Sequence, residues 1–167
     1  MIDEATLQAR VAEMGQEIRA RYEGKPLTII GVLKGSFLFL SDLVRYLDSN
    51  VNIEFLVVSS YSGTSSTGAV RMITDLKTDI AGRHCLVVED IVDTGLTMQY
   101  LLRLLSARNP ESLALCTLLD KPSRRKTNVP VDFCGFSIQD RFVVGYGLDL
   151  DERYRNLRYI AEVLLDD

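Results

Sequence analysis

The sequence predicts an α/β domain with a mainly parallel central sheet flanked by helices. Apolar stretches of strand length alternate along the chain with stretches of helical periodicity, which is the pattern of parallel α/β proteins. The strand-like stretches are apolar at successive positions, as expected for strands that are covered on both faces. The chain has 167 residues, 47% of them hydrophobic and 25% charged, which suits one globular domain. Because no linker, repeat or low-complexity stretch divides it, we expect residues 1–167 to form a single domain.

The first half of the chain is expected to contain two helices and three strands. A first helix is indicated by apolar residues at steps of four, three and four, namely Leu7, Val11, Met14 and Ile18. The elements that follow are a strand at Leu27–Leu33, a helical face on Phe37, Leu40, Val44 and Leu47, a strand at Ile53–Ser59 and a strand near Val70–Ile73. Asp79–Gly82 has the composition of a turn.

The second half continues the alternation of strands and helices. Its expected elements are a short strand at Leu86–Val88, a leucine-rich helix from about Leu96 to Arg108, a strand at Leu113–Leu119, strands at Phe133–Ile138 and Phe142–Tyr146, and a short helix near Glu152–Leu157. Asn109-Pro110 ends the leucine-rich helix, because proline cannot continue it.

Composition excludes several classes of function. A formal net charge of −4 argues against broad nucleic-acid binding, which requires a positive surface. The three cysteines, Cys85, Cys116 and Cys134, stand singly, and His84 is the only histidine, so neither a disulfide framework nor a zinc site is expected. We find no secretion signal, and the apolar stretches are too short to cross a bilayer. We therefore expect a cytoplasmic protein without membrane contact.

The segment Val87–Met98 combines polar residues at the place where parallel α/β proteins bind ligands, beyond the carboxyl end of a strand. The predicted strand Leu86–Val88 is followed by Glu89 and Asp90, and a loop of small residues, Asp93–Thr97, then begins a helix. Free backbone N–H groups and the helix dipole make such a loop suitable for a phosphate, and Gly95 permits close approach. The hydroxyls of Thr94 and Thr97 are additional donors.

The carboxylates of Glu89 and Asp90 would repel a phosphate on its own. They fit a ligand that also presents sugar hydroxyls, which donate hydrogen bonds to carboxylates, and a bound divalent cation would offset the remaining negative charge. A ribose phosphate with a divalent ion therefore satisfies each part of this segment.

Parts of the sequence also match other known motifs incompletely. Asp93-Thr94-Gly95 is also the tripeptide of aspartic proteases, but those proteins are rich in β-strands and need two such carboxylates. Asp90 and Asp93 do not have the spacing of the phosphatase pattern of two aspartates. Gly63 and Gly68 have the spacing of P-loop glycines, but lysine and Ser/Thr do not follow them. An acidic surface turn before a helix is the remaining alternative.

Val87–Met98 resembles the motif by which type I phosphoribosyltransferases bind phosphoribosyl pyrophosphate (PRPP), and the rest of the chain resembles the bacterial hypoxanthine (hypoxanthine-guanine) phosphoribosyltransferases. The shared motifs, in order, are Gly31–Gly35, Ser59–Tyr61, Leu118–Arg125, Phe142–Asp149 and Arg155. The resemblance implies the type I phosphoribosyltransferase fold, with a small hood formed by terminal segments. It also implies a glycosyltransferase of purine salvage, which joins the 5-phosphoribosyl group of PRPP to N9 of hypoxanthine or guanine and releases pyrophosphate.

The resemblance assigns PRPP-binding roles residue by residue. Glu89 and Asp90 would hold the ribose hydroxyls directly or through Mg²⁺, and the residues that would cradle the 5′-phosphate are Asp93, Thr94, Gly95, Leu96 and Thr97. Lys34 and Gly35 would meet the pyrophosphate in a loop where the family can use a non-proline cis peptide. Arg155 would also contact the pyrophosphate, and Asp149 would bind the magnesium that carries it.

The resemblance assigns the purine site as well. Lys121 would point at the purine O6, Phe142 would stack on the base, and Val143 and Asp149 would lie at its edge. Asp93 would exchange a proton with purine N7 as general acid/base. Ser60 and Tyr61, within the polar segment Ser59–Gly68, would close over the reaction as a lid, and relatives form homodimers or homotetramers.

Two departures and two rival functions remain open. Gln139 stands where relatives often have proline, and Leu150, where tyrosine is frequent, lies beside Asp149 and bears on base preference. A regulator with this fold that binds PRPP and nucleic acid would be expected to have a basic face. A transferase for adenine or uracil is the second rival, against which Lys121 argues as a donor to a 6-oxo group.

Overall fold

The computed structural model describes residues 1–48, 50–60 and 70–164. Its centre is a six-stranded sheet in the order β3-β2-β1-β4-β5-β6, in which only the pairing of β3 with β2 is antiparallel. In chain order the elements are α1 (Glu4–Arg21), β1 (Leu27–Leu33), α2 (Phe37–Leu43), β2 (Val51–Ser60), β3 (Val70–Thr74), β4 (His84–Val92), α3 (Leu96–Ser106), β5 (Ser112–Asp120), β6 (Phe133–Ser137), β7 (Val143–Val144) and β8 (Ala161–Glu162). Short 3-10 turns at Val44–Tyr46 and Pro122–Arg124 follow α2 and β5. The predicted mainly parallel α/β fold is confirmed.

Local sequence explains the first helix. Asp3 caps α1, since its carboxylate accepts a hydrogen bond of 2.8 Å from the Thr6 amide, and Arg19 and Arg21 in the last turn complement the helix dipole. The four residues of the predicted apolar face are all buried. Gly24 then adopts a φ of 69°, which turns the chain toward β1.

The two faces of the sheet pack against different helices. Ile29 of β1 and Leu86 of β4 share one apolar cluster with α1 and α2, whereas their neighbours Ile30 and Val87 share a second cluster with α3. Successive side chains of a strand point to opposite faces, so both must be apolar when both faces are covered. This explains the continuous apolar stretches in the sequence.

Several predicted elements differ from the structure. The strand expected at Phe142–Tyr146 is reduced to Val143–Val144, and α2 ends at Leu43 before the expected Leu47. β4 is longer than the expected Leu86–Val88, because the backbone of Glu89 pairs with Thr117 and that of Val92 with Asp120. The helix predicted near Glu152–Leu157 is wrong, because this segment forms turns. Glu152 and Tyr154 have φ values of 63° and 72°, which are incompatible with a right-handed helix.

A small hood lies beside the sheet and is built from both terminal segments, as predicted. β7 and β8 form an antiparallel pair, and Ile2 exchanges backbone hydrogen bonds of 3.0 and 2.9 Å with Ile160. Val143, Ile160 and Ile2 belong to the same apolar cluster as α1. Within the described residues, no helix combines the length and apolarity needed to cross a membrane.

Candidate active site

The polar motifs meet at the carboxyl ends of the parallel strands. Because β2, β1 and β4 are neighbours in the sheet, the loops that follow β1 and β4 are brought together beside the end of β2. They surround a cleft of about 200 Å³ lined by Val32, Leu33, Gly35, Val58, Glu89, Ile91, Val92, Asp93, Thr94, Gly95, Thr97 and Met98.

Glu89 and Asp90 lie within the extended end of β4. The Glu89 side chain is nearly buried, with 8% of the residue exposed, and its Oε1 accepts a hydrogen bond of 3.1 Å from the Asp90 amide. Burial, and secondarily the Asp90 carboxylate, raise the pKa of Glu89 well above its ordinary value. The site therefore concentrates unfavourable negative charge, which a cation or hydroxyl donors would relieve.

This raised pKa predicts how the stability of the ligand-free protein depends on pH. Above the ordinary value of 4.5 the unfolded state releases a proton that folded Glu89 retains, so stability is lost as pH rises toward the folded pKa. Glu89→Gln removes that loss. We measure the thermal midpoints of the variant and the wild type in the presence of chelator, and take the difference between them at each pH. This difference, variant minus wild type, is expected to be larger at pH 8 than at pH 4 by at least about 2 °C. The exposed Glu111→Gln is the control, and a constant difference for Glu89→Gln would contradict the prediction.

The loop after β4 presents the start of α3 to the cleft. Gly95 has a φ of 82° and is the residue before the first turn of α3. Glycine adopts this left-handed conformation without steric cost. The Leu96 amide donates to Thr94 Oγ1 at 3.4 Å, and the first amides of the helix have no helical partner. The geometry supports the phosphate-binding loop expected at Asp93–Thr97.

Arg125, to which the sequence assigns no role, fixes this loop from behind. Its guanidinium donates hydrogen bonds of 2.7 Å to the Val92 carbonyl and 2.6 Å to the Asp93 carbonyl, and it forms an ion pair with Asp120. The Lys126 amide adds a bond of 2.9 Å to the Thr94 carbonyl. The motif Leu118–Arg125 contained Arg125, but sequence alone does not show that it folds back onto the loop after β4.

Arg125→Gln should therefore destabilise the protein and loosen the loop Asp93–Thr97. Loss of charge-assisted bonds and of the partner of the mostly buried Asp120 is expected to cost about 1.5–3 kcal/mol, which lowers the thermal midpoint by about 2–4 °C per kcal/mol. Thermal unfolding measures the effect. Lys126→Gln removes an exposed positive charge from the same loop and is the control. Equal midpoints for the two variants would show that the contacts of Arg125 are unimportant.

Gly35 lies directly against the side chain of Asp90. The peptide bond Leu33–Lys34 is cis, the geometry that the resemblance led us to consider. A Cβ atom on Gly35 would lie only 1.6 Å from Asp90 Oδ2. A Cβ atom on Gly147 would lie 2.0 Å from the Gly35 carbonyl oxygen. The backbone of the β1–α2 loop therefore packs closely between β4 and the hood.

The cations expected at pyrophosphate share one carboxylate. Lys34 Nζ donates to both oxygens of Glu152 at 3.1 Å, and Arg155 also pairs with Glu152, at 3.2 Å, and with Asp149, at 2.9 Å. The Lys34 ammonium, then Arg155, lower the pKa of Glu152. Within the described residues Arg155 Nε is buried without a hydrogen-bond partner. The structure brings Lys34, Asp149 and Arg155 together, and sequence reasoning missed Glu152.

The expected purine residues Lys121, Phe142 and Val143 lie after β5 and in the hood. Lys121 follows β5 and is only 7% exposed, with Nζ 3.5 Å from Asp140 Oδ1. Phe142 is 46% exposed, whereas Val143 is buried in β7. Arg124 Nε donates to Asp93 Oδ1 at 3.1 Å. Sequence reasoning missed Arg124 and Asp140.

The expected lid is the part of the site that the structure describes least. The backbone of Ser60 ends β2, and Tyr61, like most of the segment Ser59–Gly68, lies outside the described residues. Among the residues that the structure describes, no three acidic, histidine or cysteine side chains cluster to enclose a metal ion. A magnesium ion typically completes its coordination with substrate oxygens and water, so one or two carboxylates are enough to hold it.

Comparison with known proteins agrees with this arrangement. The phosphoribosyl transferase domain family matches residues 3–151. The chain is 51% identical to the hypoxanthine phosphoribosyltransferase of Escherichia coli strain K12, over all of this chain and 96% of that protein. It is 47% identical to the hypoxanthine-guanine phosphoribosyltransferase of Bacillus subtilis, over 96% of this chain and 90% of that protein.

Structural similarity covers nearly the whole chain. The crystal structure of a hypoxanthine-guanine phosphoribosyltransferase from Bacillus anthracis superposes with a TM-score of 0.94 at 44% identity, over 98% of this chain and 97% of that one. The predicted resemblance is confirmed, and this chain belongs to the phosphoribosyl transferase domain family.

Proposed function

We propose that this protein transfers the 5-phosphoribosyl group of PRPP to N9 of hypoxanthine or guanine, giving IMP or GMP and pyrophosphate. The observation that carries the proposal is the full-length 51% identity to a hypoxanthine phosphoribosyltransferase. The cleft at the carboxyl ends of the strands contains the polar groups that such a reaction needs. In this proposal residues 1–167 act as one domain, as a cytoplasmic enzyme of purine salvage.

The PRPP side of the cleft follows from its donors and acceptors. The amides at the start of α3, with Thr94 and Thr97, bind the 5′-phosphate, and Glu89 and Asp90 accept hydrogen bonds from the ribose hydroxyls. Lys34, Gly35 and Arg155 bind pyrophosphate. The pyrophosphate would compete with the Glu152 carboxylate for the side chains of Lys34 and Arg155. Ser60 and Tyr61 close over the reacting atoms and exclude water.

The carboxylates of Glu89, Asp90 and Asp149 fit Mg²⁺, which prefers oxygen ligands. The raised pKa of Glu89 supports this assignment, since a bound cation offsets the charge that its burial disfavours. When bound, magnesium would neutralise charge on the leaving pyrophosphate. The role of these three carboxylates would be to hold the ion in the cleft.

The purine side supplies recognition and proton transfer. Lys121 donates to the purine O6, Phe142 stacks on the ring, and the backbone of Val143 and the loop at Asp149 meet the far edge of the base. N9 attacks C1′ of the ribose as pyrophosphate leaves, and positive charge develops on the sugar. Asp93 exchanges a proton with N7 during this step.

The decisive experiment is an assay of the purified protein with PRPP, magnesium and one base at a time. We expect IMP from hypoxanthine and GMP from guanine, and no product once magnesium is chelated. Adenine and uracil are the controls that distinguish the second rival enzyme. Absence of nucleotide from every 6-oxopurine would overturn the proposed function and favour a PRPP-binding regulator.

Oligomeric state belongs to the same proposal. We propose a homodimer or homotetramer with PRPP and a 6-oxopurine as its small-molecule partners, and without nucleic acid or membrane partners. Light scattering of the purified protein is expected to give two or four times the chain mass of 18.7 kDa. A monomer that is fully active would contradict this part.

A further inference from the structure

Four charged side chains of alternating sign form a row at the end of the cleft that the proposed function assigns to the purine. Lys121 Nζ lies 3.5 Å from Asp140 Oδ1, and Asp140 Oδ2 lies 3.4 Å from Arg124 NH1. Arg124 Nε in turn donates to Asp93 Oδ1 at 3.1 Å. Lys121 and Asp93, at the two ends of this row, are the residues that the proposed function places at the base.

The contact orients one side of the Asp93 carboxylate. Arg124 holds Oδ1, and among the described residues no hydrogen bond reaches Oδ2. Oδ2 therefore remains available for a proton of the base while the carboxylate keeps its direction. A charge-assisted bond from a guanidinium Nε suits this role because its N–H direction is fixed by the planar group.

Arg124 is itself presented from an anchored turn. Its amide donates to the Lys121 carbonyl at 3.1 Å within the turn Pro122–Arg124. The next residue, Arg125, is bonded to the Val92 and Asp93 carbonyls, so the turn and the loop that bears Asp93 are tied together. The position of the guanidinium relative to Asp93 is thus set by backbone contacts on both sides.

The two ends of this row of charged side chains, Lys121 and Asp93, match two neighbouring atoms of the substrate. O6 and N7 of a 6-oxopurine lie on the same edge of the ring, where O6 accepts a hydrogen bond and a protonated N7 donates its proton to a carboxylate. Lys121 is expected at O6 and Asp93 at N7. A link between these side chains would keep their separation matched to that edge.

We propose that Arg124 is a positioning residue for Asp93 and that Asp140 couples it to Lys121. This inference rests on the proposed function. The side chains of Arg124 and Asp93 are 46% and 39% exposed, so their ion pair contributes little to folding stability. The effect of the pair is therefore expected in turnover, where small displacements of a reacting group are costly.

The first test is Arg124→Gln in steady-state assays with hypoxanthine, PRPP and magnesium. We expect kcat to fall roughly tenfold while KM for PRPP changes by less than about twofold, because the variant disturbs Asp93 and leaves the phosphate loop intact. Arg19→Gln is the matched control, since Arg19 Nε donates to Asp48 Oδ1 at 3.0 Å in an exposed ion pair elsewhere on the protein. A kcat within twofold of the wild-type value would overturn the proposal.

A double-mutant cycle separates positioning from a structural role. In the Asp93→Asn background, Arg124→Gln should lower single-turnover rates by less than about twofold, because the proton-transfer group is already absent. The same fold-loss in both backgrounds would overturn the proposal. Arg124→Lys, which keeps a cation near Asp93, should recover at least about a third of wild-type kcat, and a kcat as low as that of Arg124→Gln would contradict it.

Failure of this inference is distinguishable from failure of the proposed function. A wild-type protein that makes no nucleotide overturns the function, whereas an active wild type with an equally active Arg124→Gln variant overturns only the positioning role. Thermal midpoints measured on each variant identify any loss of folding. Asp140→Asn, which leaves Arg124 in place, is expected to lower kcat severalfold and to raise KM for the base, and an unchanged variant would remove Asp140 from the proposal.

Discussion

Replacing Asp93 by Asn is expected to lower kcat by about 10²–10⁴-fold, the range typical of a lost general acid/base. Asparagine has the same shape and its Oδ1 can still accept the Arg124 hydrogen bond, but it cannot take up a proton from purine N7. The loop itself is held through the Val92 and Asp93 carbonyls by Arg125, which the substitution leaves unchanged. Affinity for PRPP should therefore change by less than roughly threefold.

Steady-state kinetics give kcat, and calorimetry with magnesium gives the dissociation constant of PRPP for the same preparation. Asp79→Asn is a suitable control, because Asp79 caps a turn remote from the cleft through the Ala81 amide. If Asp93→Asn weakened PRPP binding and turnover by the same factor, Asp93 would be a binding residue and its role in proton transfer would be rejected.

Replacing Gly35 by Ala should have a comparably large effect through a steric cause. The new Cβ would lie 1.6 Å from Asp90 Oδ2 and 2.4 Å from its Cγ, so the loop or the carboxylate must move. Either movement displaces groups assigned to the ribose and the pyrophosphate. Because a displacement near 1 Å can cost about 10²-fold in rate, we expect kcat/KM for PRPP to fall by about that factor.

Gly24→Ala provides the matched control for this substitution. Apart from its chain neighbours, no atom of the described residues lies within 4 Å of a Cβ placed on Gly24, but its φ of 69° makes alanine costly there, by about 1–2 kcal/mol. Over-packing at Gly35 costs a similar amount of stability, about 1–3 kcal/mol. The two variants should therefore have similar thermal midpoints, and only Gly35→Ala should lose activity. Retention of kcat/KM within threefold in Gly35→Ala would mean that this close approach has no catalytic importance.

Most of the architecture could be predicted from the sequence, because periodicity follows from which faces of an element are covered. β1 lies at the predicted Leu27–Leu33, and the predicted face of α1 is buried. The prediction of a helix at Glu152–Leu157 was wrong, because the few apolar residues of this segment fit a helical spacing while contacts within the hood determine its backbone. Gly147 and Arg155, for example, are joined by a backbone hydrogen bond of 3.0 Å.

Some residues of the candidate site could likewise be predicted from the sequence, and others could not. The acidic pair and the loop at Asp93–Thr97 were predictable because they are contiguous and their chemistry follows from residue types and order. Arg124 and Glu152 were not predictable, because their partners Asp93 and Lys34 are 31 and 118 residues away along the chain. No local pattern distinguishes such an ion pair from a solvated charge.

The sequence by itself determined the α/β class, the family and the segment Val87–Met98, since each depends on local order or on matching motifs. Only the tertiary structure decided what holds that segment and what faces it. β4 was extended past Glu89 by its pairing with β5, which places Glu89 in the cleft wall and Asp90 against Gly35. Arg125 was placed behind the loop, and Arg124 beside Asp93, because parallel strands bring the ends of distant segments to one edge of the sheet.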